Sequence, residues 1–302
     1  MANAVPDDEA ARAALVWASA ELGAPSADRL AARRCGGGTT AAVFVLHDPR
    51  DHSRAIAVLK CVRADRGFAR ECEALRAADG LVEADHCGAP RLLAAAPALR
   101  ALLMTHVAGA DAVDAIARHP SDAIAIWAGA GALRRRLDAV PCGDDDPVAI
   151  GDALSRRFRV WLGRARAHLP APLCDAIAAR IDTSPFEGHR RVACHRDFDP
   201  RNWRVQGHGA DLQVACVDFG HARGDHPLTD LVRACVPLQP DAPRVLAFLR
   251  GWGRELDARA WACARQLALL QGLCTATWGR AHQAPEFIAA GDAALQHVLA
   301  AR

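Results

Sequence analysis

Two polar motifs lie close together in the second half of this 302-residue chain, and each adjoins a short apolar segment typical of a strand. The first motif, residues 195–202, has the sequence HRDFDPRN and follows the segment 191–194. The second is Asp-Phe-Gly at 218–220, directly after the apolar segment 212–217. Carboxylate and amide side chains at strand ends can orient a hydroxyl and bind a divalent cation. The spacing therefore favours a fold that brings two strand ends to one site.

The residue types in these motifs suit phosphoryl transfer. This chemistry needs a carboxylate that orients and deprotonates the attacking hydroxyl, and oxygen ligands for a metal that bridges phosphates. We predict Asp197 as the catalytic carboxylate. We predict Asn202 and Asp218 as ligands of Mg²⁺, which prefers few protein oxygens together with phosphate and water. The alternative is a polar surface loop followed by a coincidental Asp-Phe-Gly, and the order of the two motifs beside strands disfavours it.

The composition draws attention to one side chain. The chain has 36 arginines and a single lysine, Lys60, near the end of the predicted strand 55–62. Arginine replaces lysine poorly where a compact ammonium group must reach a phosphate. We predict that Lys60 neutralises the phosphates of a nucleotide and pairs with a glutamate of the next helix. Glu71 shares the inward face of that helix with Leu75, whereas Glu73 points away, so Glu71 is the predicted partner.

A glycine-rich segment precedes Lys60 between two predicted strands. Its residues are Gly37, Gly38, Thr39 and Thr40, after Gly36. It lacks the lysine and the spacing of a Walker A loop. Glycines in a hairpin still let backbone N–H groups approach phosphates, with a threonine hydroxyl assisting. We predict that these four residues contact the nucleotide, and the alternative is a plain turn.

The pattern of elements predicts an α+β chain with two lobes. Residues 1–106 should form a small antiparallel-sheet lobe with one helix after a short leading helix, and residues 107–302 a larger, mainly helical lobe. In the first lobe we predict strands at 30–35, 41–46, 55–62, 91–94 and 99–105, and helices at 10–22 and 67–79. In the second we predict helices at 110–118, 121–139, 148–168, 171–181, 228–236, 241–253, 257–280 and 285–300, and strands at 191–194, 203–206 and 212–217.

Composition excludes several classes of protein. The formal net charge of +2 does not favour nucleic acid as a partner, and no apolar run approaches the length of a membrane span. The acidic N-terminus and the 11 cysteines without a CxxC pair favour a reduced, cytoplasmic protein. A zinc site of Cys194, His195 and Cys216 is a weak alternative, because the ligand spacing is absent.

The chain resembles the aminoglycoside phosphotransferase and choline kinase superfamily over about residues 30–280. The segments that carry the resemblance are GGGTTAAVF (36–44), VLK (58–60), RECEAL (70–75), LLMTHVAGAD (102–111), HRDFDPRNW (195–203) and VDFGHARGDHPLTDLVR (217–233). The resemblance implies a bilobal protein-kinase-like fold, ATP or GTP as phosphoryl donor, and Mg²⁺.

The resemblance also implies roles for further residues. Met104, His106 and Val107 would belong to the hinge that holds the nucleotide base, and Asp230 would brace the catalytic loop. Most of the family has glycine where this chain has Arg196. We expect Arg196 to pair with a carboxylate in the segment 221–230.

Two alternatives share this fold. A protein kinase needs a long segment between Asp-Phe-Gly and an APE motif. Here only residues 221–229 separate Gly220 from Asp230, and no APE follows, so a small-molecule acceptor is favoured. A non-catalytic nucleotide-binding scaffold would be expected to lack one of the polar side chains predicted at the site. All four are present here: Lys60, Asp197, Asn202 and Asp218.

The acceptor is predicted only as a class. An aminoglycoside or another antibiotic or metabolite, phosphorylated in resistance or self-protection, fits the resemblance, and the protein would act as a monomer or homodimer. A polycationic acceptor needs carboxylates, and the candidates are Asp199, Asp225, Glu255 and Glu286, with the acidic loop 144–146. Each of these carboxylates has an alternative role as a solvated surface charge.

Overall fold

The computed structural model describes residues 9–23, 30–36, 41–48, 50–83, 86–142 and 147–300. The predicted phosphate-contacting segment 37–40 and the acidic loop 144–146 lie outside the described residues. Ten helices are described: α1 (Glu9–Glu21), α2 (Asp65–Ala77), α3 (Ala112–Arg118), α4 (Ala123–Leu137), α5 (Ile150–Ala165), α6 (Ala171–Ala178), α7 (Thr229–Ala234), α8 (Pro243–Trp252), α9 (Ala258–Ala281) and α10 (Pro285–Ala300).

The described strands form one larger sheet and several small ones. They are β1 (Ala31–Gly36), β2 (Ala41–His47), β3 (Ala55–Val62), β4 (Val82–Glu83), β5 (His86–Cys87), β6 (Leu92–Ala96), β7 (Ala101–Met104), β8 (Ala110–Asp111), β9 (Val192–Cys194), β10 (Trp203–Gln206), β11 (Gln213–Cys216) and β12 (Arg223–Asp225). The larger sheet has the antiparallel order β1-β2-β3-β7-β6, and β11-β10-β8, β12-β9 and β4-β5 form the others.

The period of two along β3 decides where Lys60 points. Ala57 and Leu59 are fully buried in a small core that helix α1 completes on one face of the sheet. Val58 and Lys60 therefore face the opposite side, toward helix α2 and the second lobe. A register shift of one residue would place the only lysine under α1.

Helix α2 is amphipathic, and its inward face carries one charged residue. Phe68, Glu71, Cys72 and Leu75 are buried, at the i, i+3, i+4, i+7 spacing of a single helix face. Three of these side chains are apolar and belong to the large core. Glu71 is therefore carried into the interior by the same periodicity that packs the helix.

The second lobe is built from closely packed helices. Helices α4 and α8 approach closely because each carries a glycine at the contact. A Cβ atom at Gly131 would collide with the backbone of Phe248, and one at Gly251 with the backbone of Ala128. The core of this lobe is continuous with the inward face of α2.

Short strand pairs position the two polar motifs. β10 pairs with β11 so that Trp203 lies opposite Cys216, and the amide of Val217 donates to Asn202 O at 2.9 Å. β9 pairs with β12, with Cys194 opposite Arg223. The residues before and after each motif are thus tied together in space.

The predicted elements are confirmed, with differences at a few boundaries. The helix predicted from residue 110 begins at Ala112, because Ala110 and Asp111 pair as β8 with β10. Strand β12 was not predicted, since three residues carry no usable alternation. The α+β architecture is confirmed, while the boundary after His106 stays a prediction. Among the described residues no helix is long and apolar enough to cross a membrane.

Candidate active site

Three charged side chains, from β3, the helix α2 that follows it and the distant second polar motif, meet in the cleft between these elements. Lys60 Nζ lies 2.7 Å from Glu71 Oε1 and 2.8 Å from Asp218 Oδ1. Lys60 and Glu71 are buried, whereas the Asp218 side chain is 46% exposed. The chain's only lysine is thus held by one interior carboxylate and one carboxylate that faces the cleft.

The electrostatics of this cluster favour the charged forms of Lys60 and Asp218, whereas burial raises the pKa of Glu71. Burial alone would lower the pKa of Lys60, but the carboxylates of Glu71 and Asp218 outweigh it, and the pKa is raised. Burial likewise opposes ionisation of Asp218, yet the charge and hydrogen bond of Lys60 bring its pKa below the ordinary value. An ammonium group and a carboxylate are therefore maintained side by side near neutral pH.

The backbone around Asp218 is shaped for the site. Asp218 has φ of 67°, in the left-handed region, which aspartate tolerates better than most residues. Its carboxylate accepts a bond from the Gly220 amide at 3.4 Å. A Cβ atom at Gly220 would lie 3.3 Å from carboxylate oxygens of both Asp218 and Glu71. Glycine thus keeps an apolar group from crowding the charged cluster.

The carboxylate of Asp197, in the first polar motif, accepts hydrogen bonds from two neighbouring side chains. Asn202 Nδ2 donates to Asp197 O at 2.8 Å and to Asp197 Oδ2 at 2.9 Å. Arg233 Nη2 and Nε donate to Asp197 Oδ1 at 2.8 Å and 3.0 Å. Because the amide nitrogen of Asn202 is engaged in this way, its Oδ1 is the atom left to bind a cation. Sequence reasoning missed Arg233, which lies three residues after Asp230 and has no motif of its own.

The loop itself is braced from below by Asp230, as the resemblance implied. The amides of His195 and Arg196 donate to the two oxygens of Asp230 at 3.0 Å and 2.7 Å. Arg134, fully buried, pairs with Asp230 at 3.3 Å. His195 Nε2 lies 3.1 Å from Val217 O, while its Nδ1 accepts from the Asp197 amide at 3.3 Å. The backbone of both polar motifs is thereby fixed through buried side chains.

Arg196 stands where the resemblance predicts a glycine, and the structure shows its backbone conformation and its carboxylate partner. Its φ of 65° lies in the left-handed region, which glycine adopts more easily than other residues. Its Nε pairs with Asp225 at 2.8 Å, as expected for a carboxylate of the segment 221–230. Arg157 reaches the same carboxylate at 3.1 Å. Burial opposes ionisation of Asp225, but the two arginines lower its pKa.

One cavity in the cleft is lined by residues that the sequence predicts to contact a nucleotide. We call it the cleft cavity: it has a volume of about 490 Å³ and is lined by Lys60, Glu71, Asn202 and Asp218. The predicted hinge residues Met104, His106 and Val107 line it as well. The structure therefore brings the predicted phosphate, metal and base contacts to one space.

A second cavity has a volume of about 350 Å³ and shares no lining residue with the cleft cavity. Its charged lining consists of Asp199, Glu286, Arg201, Arg233 and Arg244. Arg233 links it to Asp197, because the same guanidinium contacts that carboxylate. We call this space the second cavity.

Only two of the four predicted acceptor carboxylates reach the second cavity. Asp199 and Glu286 line it, but both oxygens of Asp199 are taken by Arg201, at 2.9 Å and 3.2 Å. Asp225 is buried behind the catalytic loop with Arg196, and Glu255 is exposed and is not part of that lining. The placement of Asp225 and Glu255 argues against contact with an acceptor in the second cavity, because one is enclosed by arginines and the other lies elsewhere.

One group of potential metal ligands occurs among the described residues, and it is not the predicted zinc alternative. His189, His226 and Cys263 have ligand atoms within 4.8 Å of one another. His226 Nδ1 accepts from the Leu228 amide at 3.2 Å, so its Nε2 carries the proton shared with His189 at 2.8 Å. A protonated nitrogen has no lone pair for a metal. The pair is therefore structural.

The comparisons with known proteins agree with this geometry. Residues 31–267 match the family model described as APH, phosphotransferase enzyme family. A comparison with curated proteins finds no matching sequence.

Solved structures of low sequence identity share the fold. The gentamicin complex of APH(2″)-IIa has a TM-score of 0.68 at 14% identity, covering 98% of this chain and 99% of that chain. The streptomycin–ATP complex of APH(2″)-IIa has 0.61 at 13%, covering 88% and 90%. A choline/ethanolamine kinase family protein from Mesorhizobium loti has 0.61 at 21%, covering 90% and 88%. These similarities confirm the protein-kinase-like fold, and the family match over residues 31–267 shows that the chain belongs to the phosphotransferase enzyme family.

Proposed function

We propose that the protein transfers the terminal phosphoryl group of ATP or GTP, with Mg²⁺, to a hydroxyl of a small molecule. The observation that carries this proposal is the meeting of Lys60, Glu71 and Asp218 at 2.7–2.8 Å in the cleft cavity. A buried lysine between two carboxylates, one of them facing the cavity, suits the binding of phosphates and a metal.

The residues present fit a magnesium ion. Asn202 has one free amide oxygen, and Asp218 offers a carboxylate that faces the cleft cavity. Two protein oxygens leave room for phosphate and water, which Mg²⁺ prefers. When bound, the ion would neutralise negative charge on the phosphates. The segment 37–40 remains a proposed phosphate contact, and Met104, His106 and Val107 remain proposed contacts of the base.

Asp197 is proposed to orient the acceptor hydroxyl and to accept its proton. The hydroxyl oxygen forms a bond to the terminal phosphorus as the bond from that phosphorus to the diphosphate oxygen breaks. Asn202 and Arg233 fix the two carboxylate oxygens of Asp197, so its orientation is set before the acceptor arrives. Lys60 would hold the phosphates on the opposite side.

The acceptor is proposed to be a small molecule rather than a polypeptide. Strand β12 and helix α7 follow the Asp-Phe-Gly motif at once, so the chain between Gly220 and Asp230 is used for packing against β9 and the catalytic loop. Such a short segment offers no platform for a peptide. An aminoglycoside, another antibiotic or a metabolite stay within this class.

A screen for release of nucleoside diphosphate tests the proposal. Aminoglycosides, nucleoside antibiotics, amino alcohols, hydroxy acids and sugars would be offered with Mg-ATP and with Mg-GTP. The Asp197→Asn variant serves as the blank, because it keeps the cleft cavity. We expect acceptor-dependent release by the wild-type protein alone. Nucleotide binding without any acceptor-dependent release would favour the non-catalytic scaffold instead.

A further inference from the structure

The second cavity has an unusual balance of charge for a site expected to take a polycation. Three arginines line it, against two carboxylates. Asp199 is bound by Arg201 through both oxygens, and Arg233 Nη2 lies 3.7 Å from Asp199 Oδ2. Burial would raise the pKa of Asp199, but these arginines lower it. The Asp199 carboxylate is therefore already neutralised.

The other charges leave one guanidinium without a carboxylate. Arg233 is bound to Asp197, and Glu286 lies on an exposed part of helix α10. Arg244, at the start of helix α8, donates to Pro237 O at 2.7 Å and to Cys235 O at 3.5 Å. No carboxylate within the described part of the chain forms an ion pair with it. Both contacts are made by Nη2, so N–H groups of Nε and Nη1 remain for a ligand.

From this geometry we propose that the acceptor carries an anionic group, a carboxylate or a phosphate, and that Arg244 binds this group in the second cavity. The inference rests on the proposed function, because it assigns the substrate of that same site. The two backbone carbonyls hold the guanidinium in place, and its planar donors match a carboxylate or phosphate. A volume of about 350 Å³ suits one small molecule.

The arrangement also disfavours an aminoglycoside. In the second cavity Asp199 is paired with Arg201, and Arg233 with Asp197. A polycation would therefore meet Arg244 as an uncompensated cation, with only the exposed Glu286 as a carboxylate without an ion pair among the described residues. Like charges brought together in a partly desolvated site oppose binding. An anion next to Arg244 would instead be attracted by a guanidinium that no carboxylate of the described residues neutralises.

A binding experiment tests the anion site without turnover. Inorganic phosphate and, separately, acetate would be added at constant ionic strength to protein saturated with Mg-ADP, so that the cleft cavity is covered. Thermal unfolding of the wild type would be compared with Arg244→Met, Arg244→Lys and the control Arg250→Met, an exposed arginine on the same helix. We expect one anion or both to raise the unfolding midpoint of the wild type and Arg250→Met, less for Arg244→Lys, and not for Arg244→Met. Equal shifts in all four proteins would overturn the proposal.

A turnover experiment identifies the source of the anion. Hydroxy acids would be paired with their primary amides, and sugar phosphates with the parent sugars, with aminoglycosides as the cationic class. We expect turnover of the anionic member of one pair, with its KM raised roughly tenfold to a hundredfold by Arg244→Met, the loss typical of a hydrogen bond to a charged group. The pair that responds distinguishes carboxylate from phosphate.

The two proposals fail in different ways. Turnover of neutral or cationic acceptors alone would overturn the anionic acceptor and leave the phosphotransferase proposal intact. Absence of turnover with every acceptor, together with anion stabilisation that depends on Arg244, would count against the phosphotransferase proposal and leave the anion site standing. If Arg244→Met does not fold, Arg244→Lys keeps the charge, and its weaker response to anions still decides the question.

Discussion

The cleft cavity and the second cavity each have a lining residue bonded to Asp197, Asn202 in the first and Arg233 in the second, and they differ in how their charges are paired. In the cleft cavity, which Arg33 and Arg204 also line, Lys60 is shared by the carboxylates of Glu71 and Asp218. In the second cavity, Arg201 is paired with Asp199 and Arg233 with Asp197, whereas Arg244 has no carboxylate partner among the described residues. The proposed donor site thus offers carboxylates for a metal, whereas the proposed acceptor site offers a cationic side chain for an anionic group.

The comparison also explains what the sequence could predict. Lys60, Asp197, Asn202 and Asp218 belong to short contiguous motifs beside strands, so their spacing carried the information. Glu71 followed from helix periodicity, because the apolar face of α2 is clear. The lysine, the two carboxylates and the amide side chain that line the cleft cavity could therefore be predicted from the sequence, whereas Arg33 and Arg204 in the same lining could not.

The second cavity could not be predicted in this way. Arg244 belongs to no motif, and Arg233 ends the segment 217–233 without a predicted role, so nothing local separates them from the other arginines among the chain's 36. Two of the carboxylates predicted at the acceptor are engaged in ion pairs: Asp199 is paired with Arg201, and Asp225 is buried with Arg196. Such pairings depend on tertiary packing, which the sequence pattern does not carry. Short strands such as β12 were missed for the same reason.

The largest expected effect is that of Asp197→Asn, which should change turnover far more than nucleotide affinity. Asp197→Asn removes the proton acceptor and leaves the cleft cavity in place, so turnover should fall by about 10²- to 10⁴-fold. Nucleotide affinity, measured by calorimetry with Mg²⁺, should change little. The exposed Asp241→Asn serves as the charge-matched control. Near-full turnover of Asp197→Asn would show that Asp197 does not accept the proton of the hydroxyl.

A smaller effect is expected on the nucleotide side. Asp218→Asn keeps the shape of the side chain but removes the charge that binds Lys60 and is proposed to bind Mg²⁺. Affinity for the Mg-nucleotide should fall roughly tenfold to a hundredfold, the loss typical of one charged contact. Titration of nucleotide with and without Mg²⁺ measures this, and the advantage that Mg²⁺ gives the wild type should shrink. An unchanged advantage would place the metal away from Asp218.

A third prediction concerns His226, a buried histidine outside both cavities. Burial lowers the pKa of His226 from its ordinary 6.5 to about 3, so the folded protein takes up this proton only near pH 3, whereas the unfolded chain takes it up near pH 6.5. Stability should therefore fall as the pH falls below 6.5. At one unit below, the loss from His226 is about 1.4 kcal/mol.

Denaturant unfolding between pH 7.5 and 5 measures this dependence. His226→Asn keeps an acceptor for the Leu228 amide but cannot titrate, so its stability should depend less on pH. His52→Asn, at an exposed position, should follow the wild type. Identical pH profiles for all three proteins would show that His226 titrates at its ordinary pKa.

The smallest effect is expected behind the catalytic loop. Arg196→Gly and Arg196→Ala both lose the ion pair with Asp225, but only glycine adopts a φ of 65° without strain. The alanine variant should be less stable than the glycine variant by about 1 kcal/mol. Urea unfolding of the two purified variants gives this difference directly. Equal stabilities would mean that the backbone at residue 196 relaxes in the variants.

The central claim is that a phosphoryl group passes from the cleft cavity to a hydroxyl beside Asp197. Phosphorus NMR of the protein with Mg-ATP and the acceptor selected by the screen tests it most directly, with Asp197→Asn as the blank. The account predicts one new phosphomonoester resonance that grows in step with ADP, one for one. Growth of inorganic phosphate in step with ADP, without a phosphomonoester, would contradict it, because the terminal phosphoryl group would then have passed to water.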